Sequence, residues 1–128
     1  MAIRIIQLGT PRQSDEGIRF GTVRRPPRGV KKTEYAKLNY YDVWLPNLSP
    51  SPDLMAKAKI SENGKGWKAF EQKFRKELKQ PDKSHLLDAL AALSQTTNFS
   101  IGCYCKDESH CHCSILRAEL KARGANIK

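Results

Sequence analysis

At 128 residues and 14.5 kDa, the chain is expected to form one domain, residues 1–128, around one core. Apolar residues at 39% and charged residues at 28% exclude a disordered chain. No apolar run approaches the ~20 residues of a membrane span, and the stretch from Ile3 to Ile6 is too short for a signal peptide. A cytoplasmic protein with no membrane partner is therefore expected.

Ile3 to Leu8 is a short β-branched run ended by Gly9-Thr10-Pro11, and it reads as a first buried strand. Ile18 to Val23 reads as a second, feeding a segment stiffened by Pro26-Pro27 and freed by Gly29. A third apolar run, Asp42 to Leu45, stops at Pro46. Ser51, Pro52 and Asp53 have the order of an N-cap, a first helical proline and an acid in the positive first turn. Trp67, Phe70, Phe74 and Leu78 then fall at intervals of three and four, which predicts a helix with one apolar stripe for the core. A further helix is predicted from an N-cap at Ser84, burying Leu86, Leu87, Leu90 and Leu93, with His85 at the surface. Thr97 to Cys105 reads as a strand placing Phe99, Ile101, Cys103 and Cys105 on one face. A last helix is expected over about residues 114–123, ending at Gly124 as a C′ residue, with Asn126-Ile127 as a short closing strand. Alternating strands and helices predict a small α/β domain, mainly a parallel sheet flanked by helices.

Charge is unevenly placed. Lys plus Arg total 23 against 13 acids, a net charge of +10. Residues 19–37 carry seven bases against Glu34, net +6, and are rich in arginine, whose planar fork suits phosphate or carboxylate. Residues 57–83 carry nine bases and four acids, net +5, but these lie on a helix where charges of both signs mark a solvated face. A small anionic ligand is the expected partner. Nucleic acid is the alternative, although no aromatic interleaving or binding motif accompanies the charge.

All four cysteines lie between residues 103 and 113, where a secreted disulfide framework would spread them. Strand, loop and helix N-terminus form a geometry in which backbone N–H groups stabilise a thiolate, and Cys111 is the residue best placed for it. Cys111 and His112 are thus the candidate catalytic pair. His110-Cys111 followed five residues later by Arg117 matches the spacing of the tyrosine-phosphatase loop. However, the intervening residues include no glycine, and Ile115 and Leu116 read as helix core, so the match is taken as coincidence. The alternative is a zinc site using Cys103, Cys105, Cys111 and Cys113, with His110 or His112 as substitutes. A redox pair, Cys105 with Cys111, is a third reading. These readings leave enzyme and non-enzymatic binding module both open.

The segments Arg24-Arg25-Pro26-Pro27-Arg28-Gly29-Val30-Lys31-Lys32, Asp42-Val43-Trp44-Leu45 and Ser49-Pro50-Ser51 before Leu54 resemble the YeaO-like branch of the domain-of-unknown-function 488 family. So do Trp67-x-x-Phe70, the helix from Phe74 to Leu78, and Cys103-Tyr104-Cys105-Lys106-Asp107-Glu108 with Cys111-His112. The resemblance spans nearly the whole chain and implies a compact cytoplasmic α/β domain, but no reaction. It marks Arg24, Arg25, Arg28 and Gly29, together with Cys105, Glu108, Cys111 and His112, as motif positions. Two departures stand out: Cys113 occupies the place of the family's arginine after Cys-His, and Pro27 follows Pro26 where the family tends to have tryptophan then proline. Joining both sets of residues, the expected site is an anion pocket made by Arg24, Arg25, Arg28 and Gly29 with Cys105 and Glu108, beside Cys111 and His112.

Overall fold

The computed structural model describes residues 1–57, 66–105 and 111–128. It is an α/β domain with a four-stranded, all-parallel sheet. Strands β1 (Ile3–Gln7), β2 (Ile18–Gly21), β3 (Val43–Trp44) and β4 (Phe99–Cys103) lie in the order β1-β4-β2-β3. The helices are α1 (Pro52–Lys57), α2 (Trp67–Leu78), α3 (Pro81–Leu93) and α4 (His112–Ala122), with 3-10 turns at Lys32–Glu34 and Pro46–Leu48. The last strand in sequence is thus interior to the sheet, and all five of its residues are buried.

One face of the sheet carries Ile3, Ile5, Phe20, Phe99 and Ile101, which pack with Phe70, Phe74 and Leu78 of α2, Leu87 and Leu90 of α3, and Ile115, Leu116 and Leu120 of α4. The predicted stripe on α2 is the one buried, at about 2 kcal/mol per fully covered large side chain. On the opposite face, connecting segments supply the cover and the contents are partly polar. Arg19 and Glu16 are both buried and ion-paired there, Nε to Oε1 at 2.9 Å. The Arg19 fork also donates to Asn39 O and Pro11 O, while Ser100 Oγ donates to Glu16 O. Arg19, counted from sequence with the basic segment, is therefore a structural cation and not part of an exposed field.

Several predicted boundaries move. α3 starts three residues earlier than Ser84, because Pro81 takes the first helical position and Gln80 the cap. α4 starts at His112 with Cys111 as its N-cap. β4 stops at Cys103, so Cys105 leaves the strand and is exposed instead of continuing the buried face. Ser51 caps α1 through Leu54 N at 3.1 Å, Gly124 ends α4 at φ +86°, and Ile127 bridges Ile3 in parallel.

Candidate functional site

β2 and β4 are adjacent parallel strands, with Gly21 opposite Gly102. The residues that follow, Thr22 to Arg25 and Cys103 to Cys105, therefore leave the sheet at the same carboxyl edge, where open α/β sheets hold their ligands. Thr22 N–H donates to Gly102 O at 2.9 Å and locks that exit. Both glycines are required by close approach. A Cβ on Gly21 would lie 2.3 Å from the Tyr41 ring, and one on Gly102 would lie 2.7 Å from Ile6 O.

Four thiols meet at this edge. Cys103 Sγ lies 2.7 Å from Cys111 Sγ, with the Cys105 and Cys113 thiols close by. These neighbours, Cys105 foremost, hold the Cys103 thiol below its ordinary range despite burial. The Cys111 and Cys113 thiols are pushed up, Cys103 being the first cause for each. Among these sulfurs, which share their protons, the balance favours negative charge on Cys103. Cys113 Sγ also lies 3.6 Å from Thr22 Oγ1.

His112 stands behind the cluster. Its Nε2–H donates to Thr22 O, which leaves Nδ1 facing Cys111 Sγ at 3.7 Å. Phe74 of α2 meets the ring edge-on, with centroids 5.9 Å apart. Burial pushes the imidazole down, against the upward pull of Cys103 and Thr22, so the neutral ring is favoured.

A cleft of about 510 Å³ opens over the cluster. Cys103, Cys105 and His112 line one side, and Val23, Arg24, Arg25 and the Ser49–Pro52 segment another. Arg24 braces that wall, Nε donating to Pro50 O at 3.2 Å and Nη2 to Ser49 O at 3.1 Å. Tyr104 ties the two sides together by donating its hydroxyl to Arg25 O at 2.9 Å. Its phenol is pushed up to about 12 by burial and by neighbouring tyrosines, so it remains a donor. The Arg25 guanidinium has no protein partner among the described residues.

The structure therefore brings Arg24, Arg25, Cys105 and His112 to one cleft, with Cys103 at the same wall. Arg28 lines an adjoining groove with Pro26, Pro27 and Tyr40 that shares Arg25 and Tyr104 with the cleft, and Gly29, exposed at φ +72°, is a turn residue with open space around it. Cys111 lies behind Cys103 and lines no part of the cleft. Glu108 and His110 fall outside the described residues. All five residues between Cys111 and Arg117 are helical, so no phosphatase-type loop wraps Cys111. Cys103 was named from sequence only as a metal ligand, because its role depends on cross-strand register.

For a metal, the ligand atoms that lie within 4.8 Å of one another are those of Cys103, Cys111 and His112. Two thiolates bound to one tetrahedral zinc at ~2.3 Å stand about 3.8 Å apart. At 2.7 Å, the Cys103 and Cys111 sulfurs would have to part by about 1 Å to take it. The four-cysteine set fits less well, since Cys105 has left the strand and is exposed.

Fold and site together define a small parallel α/β domain with a reduced cysteine cluster beneath a cleft at the carboxyl edge of its sheet. The chain belongs to the DUF488 family: the model described as the active DUF488-N3 subclade matches residues 3–124. No curated protein and no solved structure matches it. The resemblance read from sequence holds at the level of that family, and no helix among the described residues is long and apolar enough to cross a membrane.

Proposed function

We propose that the cleft binds a small molecule bearing a phosphate or carboxylate group and that Cys103 is the thiolate nucleophile presented to it. The observation that carries this reading is the lining itself: Arg24 and Arg25 on one wall, Cys103, Cys105 and His112 on another. Arg25 supplies the guanidinium for the anion, and Arg24 keeps the wall in place. Cys103 is the sulfur at the cleft wall whose thiol is held down by its neighbours, and the thiolate is the form that attacks electrophiles. His112 is a positioning residue, whose neutral Nδ1 faces the Cys111 sulfur. The reactive pair named from sequence, Cys111 with His112, thus becomes the support behind Cys103. The description of the matching subclade as active accords with an enzyme.

Alkylation of the full chain, read at Cys103 by peptide fragmentation, tests both halves of this reading. Iodoacetate carries a carboxylate and iodoacetamide does not. Arg25→Ala is expected to slow Cys103 alkylation by iodoacetate about fivefold, the effect of losing ~1 kcal/mol of ion pairing, while leaving iodoacetamide unchanged. Inorganic phosphate should protect Cys103 in the parent protein, and Arg28→Ala should alter neither rate. Equal effects of Arg25→Ala on both reagents would defeat the anion reading, and a Cys103 no faster than an ordinary thiol would defeat the nucleophile.

A further inference from the structure

We infer that Cys103 and Cys111 form a peroxide-reactive dithiol, in which Cys103 is the sulfur oxidised through the cleft and Cys111 the sulfur that resolves it into a reversible disulfide. The inference goes beyond the ligand reading. It shares the Cys103 thiol with that reading but makes no use of Arg24 or Arg25.

Two observations carry it. The sulfurs stand 2.7 Å apart, within about 0.7 Å of the ~2.05 Å of a disulfide, whereas a shared zinc needs a larger movement in the opposite sense. Both sulfurs are buried, but Cys103 lines the cleft and Cys111 does not, so a peroxide entering there meets Cys103. Cys105, the other neighbour of Cys103, is exposed and only two residues away in the chain, so it is the competing resolving thiol.

The chemistry balances as follows. The Cys103 thiolate attacks one peroxide oxygen; an S–O bond forms, the O–O bond breaks, and the second oxygen leaves as hydroxide or alkoxide. The Cys111 thiol gives its proton to that base, and its sulfur attacks the Cys103 sulfenic acid. An S–S bond forms and hydroxide departs, leaving as water on protonation. The two sulfurs lose two electrons and the peroxide gains them; an external dithiol reverses the change.

Trypsin cuts after Lys106 and Arg117, separating Cys103 and Cys105 from Cys111 and Cys113. Treating the full chain with equimolar hydrogen peroxide should lower its mass by about 2 Da and join peptides 84–106 and 107–117, with fragmentation placing the bond at Cys103 and Cys111. Dithiothreitol should reverse it. Cys105→Ser should still join Cys103 to Cys111, more slowly because a thiol that helps to hold Cys103 down is gone, and Cys111→Ser should reduce the crosslink at least about tenfold and let the Cys103 sulfenic acid be trapped by dimedone. A bond from Cys105 in the wild-type protein would overturn the proposal without any variant. So would undiminished linkage in Cys111→Ser, or no crosslink at all. The crosslink is read with the uncharged peroxide alone and the anion reading with the iodoacetate-to-iodoacetamide ratio, so failure of one is separable from failure of the other.

Discussion

His112 is the residue whose environment most directly ties folding to pH. Its ring is half-buried at the cleft wall, packed against Phe74, Thr22 and the cysteine cluster, and burial holds its pKa below the ordinary 6.5. The folded chain therefore resists a proton that the unfolded chain accepts below that value. Stability contributed by the neutral ring is full above pH 6.5, falls as pH drops toward the lower folded pKa, and levels off beneath it. The slope in that window is at most about 1.4 kcal/mol per pH unit. An NMR titration of the His112 ring, assigned with His112→Gln, should give a midpoint below 6.5, and urea midpoints should fall between pH 7 and 5.5 more steeply for the parent than for His112→Gln. A midpoint at or above 6.5 would contradict this effect of burial. From the sequence, clustered cysteines and a histidine at a helix start were readable, but which sulfur carries the negative charge was not. That depends on β4 ending where Cys103 sits against Cys111, a meeting of side chains from two elements that no spacing rule reports.

Among the elements, the helices and the central strand were legible because their periodicity is strong: Phe70, Phe74 and Leu78 on α2, and Phe99 and Ile101 on β4. The polar plate on the other face was not legible, since Glu16 lies in a connection and Arg19 in a strand that reads as a weak alternation. Burial alone pushes Glu16 up, but Arg19, the Gln13 N–H and Ser100 more than offset this and hold it below its usual range. The plate works only as a complete set. Arg19→Met would leave the Glu16 carboxylate buried and unpaired, and should cost about 3–5 kcal/mol of unfolding free energy in urea at neutral pH. Adding Glu16→Gln to that variant should restore part of the loss, because the uncompensated charge goes. A single-variant loss under about 1 kcal/mol would mean that water reaches the plate.

At the scale of the whole molecule, ion pairing decides which part of the +10 charge faces outward. Arg4, Arg12, Arg19, Arg75 and Arg123 are all paired with carboxylates. By contrast, Arg25, Arg28, Lys31, Lys32 and Lys37 have no ion pair among the described residues and lie in the segment that leads away from the cleft wall, while Lys68, Lys73, Lys76 and Lys79, also without one, lie on α2 and just beyond it. Such a basic loop attracts any polyanion by releasing its counterions, an effect that depends steeply on salt and weakly on sequence. A fluorescent single-stranded DNA should therefore associate weakly at about 50 mM salt and be lost by about 200 mM, whatever its sequence. Lys31→Glu with Lys32→Glu should abolish this association while leaving phosphate protection of Cys103 intact, because neither lysine lines the cleft. If the double variant also removes phosphate protection, the cleft and the loop form one continuous anion surface, and the small-ligand reading gives way to a polyanion site. If strand binding persists above about 200 mM salt or selects one sequence, contacts to bases must be at work, and the basic loop is a recognition element in its own right.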